Sequence, residues 1–146
     1  MEWSLRRATR ADAELDASEL TAADVSRVAL DRAQARLPEA RLVELEPDAS
    51  LPFDDNAFEL VLVVDTIEHV RDLQLLLSEI RRVLVPGGQL ALATPATAAL
   101  TRPEHPFSPH LRHFTRRSLR GVLEGLGFEV DSLRRRRGTL LAGARR

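Results

Sequence analysis

The sequence predicts an α/β domain with a mostly parallel sheet and helices on both of its faces. Strand-like and helix-like segments alternate along the chain, which is typical of parallel strands joined by helical crossovers. The segment "FELVLVVD" at 58–65 has an unbroken apolar centre, as expected for a strand that is covered on both faces. A chain of 146 residues is long enough for one hydrophobic core, so we predict a single domain over residues 1–146.

The first half of the chain supplies two short strands and one helix. Residues 1–18 are polar and charged with little period, and we predict weak order there. "ELTAADVS" is a strand candidate that ends near Asp24, and "ARLVELE" is a second. Between them, "SRVALDRAQARLP" predicts a helix with Ser26 as its cap and Pro38 as its stop.

The second half contains the strongest helix signal. In "TIEHVRDLQLLLSEIRRVLVPGG" apolar residues recur at helical spacing until the Pro-Gly-Gly stop at 86–88. "QLALATP" predicts a strand, and 96–113 is a loop rich in Pro and His. Thr115 is placed to cap a further helix. The remaining residues predict a C-terminal antiparallel pair of strands around a turn near Gly138.

Composition excludes several classes of protein and site. The chain has no cysteine, which excludes disulfides and thiolate metal sites. No apolar run approaches the roughly 20 residues of a membrane helix, and the first residues have no apolar segment of signal-peptide length. We therefore expect a cytoplasmic protein. All 21 basic residues are Arg; the run at 134–137 can bind phosphate, but a solvated surface is the favoured interpretation and nucleic acid is not expected.

Acidic residues stand where predicted strands end. Asp24 and Asp65 both occupy such positions, and parallel sheets bind ligands at the carboxyl ends of their strands. Glu68 and His69 follow at once. Successive helix residues are about 100° apart, so these two side chains are predicted to point to different faces. Without a third ligand at metal-site spacing, no metal site is predicted, and His69 is either a catalytic residue or a structural partner near the helix start.

Three stretches carry a resemblance to a known family. "LPFDDNAFELVLVVDTIEHVRDLQLLLSEIRRVLVPGGQLALATP" resembles the central block of class I S-adenosylmethionine-dependent methyltransferases that act on small molecules, a group that includes enzymes of quinone biosynthesis. "HLRHFTRRSLRGVLEGLGFEV" is similar to the late segment of that family, and "AADVSRVALDRAQARLP" resembles its second strand and following helix. The resemblance spans about residues 19–145 and rests on the order and spacing of the pieces.

The resemblance implies a Rossmann-like fold and S-adenosyl-L-methionine as cofactor. It gives three acids as cofactor-binding candidates. Asp24 matches the acid that binds the ribose hydroxyls, although an acid at a helix start is the alternative. Asp48 lies near the acid that holds the adenine amino group, with Pro47 nearer to the matching position. Asp65 follows the strand that faces the methionine end of the cofactor.

Histidines are the candidates for residues that act on the methyl acceptor. His69, which follows the buried strand, is one catalytic candidate. His110 and His113 are the others, because the family places acceptor contacts in the 96–113 region and a histidine there can take a proton from a substrate hydroxyl. The alternative for the loop histidines is a surface loop with a helix cap. The resemblance does not identify the methyl acceptor.

One departure from the family pattern concerns glycine. The family opens with a strand and a loop of the form acid-x-Gly-x-Gly, whereas the first glycine of this chain is Gly87. The resemblance therefore implies a sheet that is incomplete at the N-terminus, as in a truncated methyltransferase domain. It leaves two functions open: methyl transfer to a small molecule, or a non-catalytic methyltransferase-like fragment that acts, if at all, through a protein partner. An uncovered sheet edge also predicts self-association.

Overall fold

The computed structural model describes residues 19–96 and 111–146. The chain divides into two compact units, Met1–Leu45 and Glu46–Arg146, and each is described here by itself. The predicted weak order of residues 1–18 and the catalytic candidate His110 lie outside the described residues. The single domain over residues 1–146 stays a prediction.

The first unit is a parallel strand pair with a helical crossover. Strand β1 (Thr21–Asp24) and strand β2 (Arg41–Glu44) are joined by helix α1 (Arg27–Arg36). The two strands pair in parallel register along their whole length. Ser26 caps α1, because its hydroxyl oxygen accepts a hydrogen bond from the Ala29 backbone N–H at 3.3 Å. All three predicted elements of this region are confirmed, including the strand that ends at Asp24.

The second unit is a four-stranded mixed sheet with two helices. Its elements are β3 (Phe58–Val64), α2 (Leu73–Val83), β4 (Leu84–Pro95), α3 (Arg116–Gly125), β5 (Glu129–Arg136) and β6 (Thr139–Arg145). The strand order is β3-β4-β6-β5. Strands β3 and β4 are parallel, whereas β6 is antiparallel to both of its neighbours. The α/β class and the C-terminal antiparallel pair are therefore confirmed.

The core of the second unit lies between the helices and one face of the sheet. Leu77 of α2 and Leu119 of α3 are fully buried against Leu90 of β4 and Leu140 of β6. Thr115 caps α3 as predicted, since its hydroxyl accepts from the Ser118 N–H at 3.1 Å. The amphipathic spacing seen in the sequence thus matches the side of each helix that packs on the sheet.

The other face of β3 is apolar and open. Val63 is buried, but Leu60, Leu62 and Val64 are 40%, 52% and 36% exposed. The prediction of burial on both faces holds for one face only in the part of the chain that the structure describes. The continuous apolar run therefore leaves three aliphatic side chains in contact with solvent.

Helix α2 begins later than the sequence predicts. Its cap is Asp72, whose Oδ1 accepts from the Leu75 N–H at 2.9 Å. The preceding residues form a turn in which the His69 N–H donates to the Thr66 carbonyl at 3.0 Å. The helix ends at Val83, close to the predicted stop. The Pro-Gly-Gly segment lies in β4, where Gly87 has a φ of 78° that favours glycine.

Candidate functional site

The carboxyl ends of β3 and β4 bring a group of polar residues together. Asp65 follows β3 directly, is exposed, and has a φ of 47°. Its backbone N–H donates to the Ala93 carbonyl at 2.9 Å, which holds the turn against β4. Glu68 and His69 lie in the same turn, and Thr94 lies near the end of β4. The acidic edge predicted from the sequence is therefore present at Asp65.

Glu68 is a buried carboxylate. The residue is 1% exposed, and its Oε2 accepts from the Thr94 hydroxyl at 2.9 Å. Its other oxygen, Oε1, has no hydrogen-bond donor among the described residues. A buried polar atom without a partner is costly, so this oxygen marks a place where a donor is expected.

His69 lies on the exposed side of Glu68. Its Nε2 is 3.9 Å from Glu68 Oε1, and its side chain is 32% exposed. The prediction that the two side chains point to different faces is wrong, because they lie on a turn and the 100° helical spacing does not apply. Within the described ranges no group of three or more acidic or histidine side chains can hold a metal ion.

Arg112 fixes the turn from the other side. Its guanidinium donates to the carbonyls of Val70 and Arg71. The backbone N–H groups of Leu111 and Arg112 both donate to the Glu68 carbonyl, at 2.8 and 3.3 Å. Sequence reasoning missed Arg112 and Thr94, because both act through contacts that are distant along the chain and carry no local pattern.

Asp48 lies apart from this turn, at the start of α2. It has a φ of 53°, and its Oδ1 accepts from the Asp72 N–H at 3.4 Å. It lines a cavity of about 770 Å³ together with Arg71, Arg112 and residues of α3. Asp65, Glu68 and His69 do not line that cavity, but Arg112 joins the two regions, because it lines the cavity and also holds the turn.

A cluster of charged contacts holds the loop that follows Asp48. The Arg82 guanidinium donates to Glu79 Oε2 and Asp55 Oδ1, both at 2.8 Å, and to the carbonyls of Leu51 and Phe53. The hydrogen bond from Arg82 holds the pKa of Glu79 below its usual range, against the opposing effect of burial. The same bond, with help from Asp55, raises the pKa of Arg82. The loop is thus attached to α2 through the Arg82 guanidinium.

Asp24 lies in the first unit, at the end of β1. Its Oδ1 accepts from the Ser26 N–H at 2.7 Å, and the residue is half-buried. This contact matches the alternative in which the acid stabilises the start of the helix, yet among the described residues it engages one carboxylate oxygen only. His113 is exposed and precedes the α3 cap.

Comparison with known proteins identifies the family. The model of the family described as "Methyltransferase domain" matches residues 6–92, which is more than half of the chain. This chain belongs to the methyltransferase domain family. That match includes all three predicted cofactor-binding acids as well as Glu68 and His69.

Relatives of this methyltransferase domain agree with the match. A 2-phytyl-1,4-naphtoquinone methyltransferase of Nostoc punctiforme is 34% identical over 87 residues, which are 59% of this chain and 34% of that protein. The chain therefore spans about a third of that relative. A SAM-dependent methyltransferase of Methanosarcina mazei shares the fold with a TM-score of 0.70 at 22% identity, over 89% of this chain and 84% of that one. A SAM-dependent methyltransferase of Aquifex aeolicus shares the fold with a TM-score of 0.68 at 19% identity, over 86% of this chain and 67% of that one.

S-adenosyl-L-methionine is the cofactor of this family. The side chains at the strand ends have suitable chemistry for it, since carboxylates accept hydrogen bonds from ribose hydroxyls and from an adenine amino group. Asp24 keeps one oxygen outside its helix contact, and the Asp65 side chain is exposed at the end of β3. In the described part of the chain, no helix is long and apolar enough to cross a membrane.

Proposed function

We propose that this methyltransferase domain transfers the methyl group of S-adenosyl-L-methionine to a small-molecule acceptor. The observation that carries the proposal is the family match over residues 6–92, which includes the polar turn at the end of β3. The cofactor, when bound, supplies a methyl group that its sulfonium already activates. The protein then has to bind and orient the two molecules, and orientation alone contributes much of the rate in such transfers.

Three acids are the proposed cofactor contacts. Asp24 would accept hydrogen bonds from the ribose hydroxyls through the oxygen that does not bind Ser26. Asp48 would accept from the adenine amino group, and Asp65 would contact the methionine end. The resemblance supplies these roles, and the position of Asp24 and Asp65 at the ends of parallel strands supports them.

The acceptor class we propose to test first is a dihydroxynaphthalene, which is the reduced form of a naphthoquinone, because the relative from Nostoc punctiforme is named for a naphtoquinone. As the methyl group bonds to the acceptor oxygen, the hydroxyl proton has to leave. His69 is the proposed recipient of that proton, since its imidazole is partly exposed in the polar turn. His110 and His113 are the other candidates for the same role.

A non-catalytic role is the alternative, and one observation favours it. Residues 1–86 contain no glycine, and glycine is the residue that lets a backbone approach a ligand closely. Under this alternative the domain acts through a protein partner. We therefore expect the 146-residue chain to bind the cofactor with a dissociation constant well above about 1 μM, which corresponds to about 8 kcal/mol.

Radiolabel transfer separates the two functions. The chain is incubated with S-adenosylmethionine labelled in its methyl group and with a panel of dihydroxynaphthalenes, and label in the organic phase is measured against His69→Asn. Methyl transfer predicts label that depends on His69. Unlabelled acceptors, together with no detectable cofactor binding at millimolar concentration, would support the non-catalytic alternative.

We also propose that a second copy of the chain pairs along β3. Both outer strands of the four-stranded sheet have an edge that no other described strand covers. The edge strand β5 carries Arg134–Arg136, and charged side chains are the usual protection of an exposed edge. Strand β3 instead carries Leu60, Leu62 and Val64, which are exposed on its open face beside the free edge, and such an apolar surface favours association. The cytoplasmic location stays a prediction.

A further inference from the structure

The two carboxylate oxygens of Glu68 differ in their contacts: one is hydrogen-bonded in the core, and the other lies beside His69. It is 2% exposed, and the Thr94 hydroxyl holds Oε2 at 2.9 Å. Oε1 has no hydrogen-bond donor in the described ranges. Because Thr94 is itself fully buried, the carboxylate is fixed from the core side, and Oε1 has a defined position beside His69.

The backbone of the turn is fixed as well. The Glu68 carbonyl accepts from two N–H groups, those of Leu111 and Arg112, and the Arg112 guanidinium holds the next two carbonyls after His69. The His69 N–H closes the turn onto Thr66. The chain therefore holds both ends of the Glu68–His69 pair, so that the two side chains stay neighbours.

We propose that Glu68 is a positioning residue for His69. Its Oε1 accepts the Nε2–H of the imidazole, which fixes the tautomer and the orientation of the ring. The present separation of 3.9 Å is about 1 Å longer than an N–H···O bond, and we expect a small rotation of the partly exposed ring to close it. A buried carboxylate behind an exposed imidazole is a general means of setting which ring nitrogen carries the proton. The expected effect of Glu68 on the tautomer of His69 does not require methyl transfer. Its expected effect on the rate of methyl transfer rests on the proposed function.

The ring tautomer tests the pair without cofactor. Nitrogen NMR of the full chain shows which ring nitrogen carries the proton, and His69→Asn assigns the signal among the four histidines. In the parent chain we expect Nε2–H. In Glu68→Gln we expect the Thr94 hydroxyl to keep donating to the oxygen of residue 68, so that the new amide N–H faces Nε2. Nε2 then has to accept, and we expect the proton on Nδ1.

The control is Glu79→Gln, which removes a mostly buried carboxylate from a different cluster and should leave the His69 tautomer unchanged. Thermal melting shows which variants are folded. The proposal is overturned if folded Glu68→Gln keeps the parent tautomer. It is also overturned if the parent itself carries the proton on Nδ1, a result that does not depend on the folding of any variant.

Kinetics test the catalytic consequence. We expect Glu68→Gln and His69→Asn each to lower kcat for methyl transfer by about 10²-fold or more, with KM for S-adenosylmethionine unchanged. Because the two residues act as one unit, the double variant should be no slower than the slower single variant. If Glu68→Gln changes the His69 tautomer but the parent chain transfers no methyl group, the positioning role of Glu68 stands and the proposed function is rejected. Methyl transfer that is insensitive to Glu68→Gln would reject the positioning role.

Discussion

His69 Nε2 lies 3.9 Å from Oε1 of Glu68, a carboxylate that Thr94 holds from the core side. The two residues are adjacent in the sequence, and a helix would have turned them apart. They meet because the chain makes a turn before α2, and contacts from residues 111–112 stabilise that turn. The pair links the buried sheet to the strand ends where we propose that the cofactor binds.

Gly88 is expected to be intolerant of a side chain. A Cβ there would meet the Val85 carbonyl oxygen at 2.9 Å and that of Glu59 at 3.2 Å, and both are backbone atoms that cannot move away cheaply. We predict that Gly88→Ala lowers the free energy of unfolding by about 1–3 kcal/mol, as measured by denaturant titration.

Gly121→Ala is the matched control for Gly88. It lies inside α3, and a Cβ there meets nothing within 4 Å. Alanine is a better helix former than glycine, so we expect a gain of roughly 0.5–1 kcal/mol. Equal losses in the two variants would show that the crowding around Gly88 does not matter.

The Glu79–Arg82 pair is expected to make stability depend on pH. The pKa of Glu79 is held below its ordinary value of 4.5 by the hydrogen bond from Arg82. A carboxyl whose pKa is lower in the folded state stabilises the fold above the unfolded value and loses that contribution as pH falls through the folded value. The unfolding free energy should therefore fall with acid less steeply in Glu79→Gln than in the parent.

At neutral pH the same variant removes an ionised partner of Arg82, and we expect a loss of about 1.5–3 kcal/mol. Glu124→Gln is the surface control, because Glu124 and Arg120 form an exposed pair one helical turn apart. Its effect should stay near 0.5 kcal/mol or less. A loss of equal size in both variants would contradict a special role for the Arg82 cluster.

Leu62→Lys should reduce self-association. Leu62 is 52% exposed on the open face of β3, and a charge at that position is a known way to protect a strand edge. Size-exclusion chromatography with light scattering should show a shift toward the monomer. Val28→Lys is the control, since Val28 is 59% exposed on helix α1 of the first unit. A parent chain that is monomeric at all concentrations would remove the basis for the proposed second copy.

Asp24→Ala should weaken cofactor binding by roughly 1.5–3 kcal/mol, the range for hydrogen bonds to a charged group. Ser26→Ala is the control, because it removes the α1 cap at a cost of about 1 kcal/mol of stability without touching the carboxylate. Both variants are compared by titration with S-adenosylmethionine. Unchanged affinity in folded Asp24→Ala would assign this acid to the start of the helix alone.

Much of the fold could be predicted from patterns among neighbouring residues. The candidate site depends on contacts between residues that are far apart in the sequence. Ser26 and Thr115 were identifiable as caps because a hydroxyl before an apolar period is a local signal. The late start of α2 could not be predicted in this way, because the turn before the helix depends on Arg112, which is some forty positions away. The partner of Glu68 was hidden for the same reason, since Thr94 reaches it only when β3 and β4 pair.

Titration of the isotopically labelled chain with S-adenosylmethionine, followed by backbone amide NMR, tests the central claim most directly. We expect weak binding that moves the amide signals of Asp24, Asp65 and His69 and leaves those of the Arg145 region in place. No movement at the first three positions with millimolar cofactor, or movement confined to other parts of the chain, would contradict the proposal that the strand ends of this methyltransferase domain bind its cofactor.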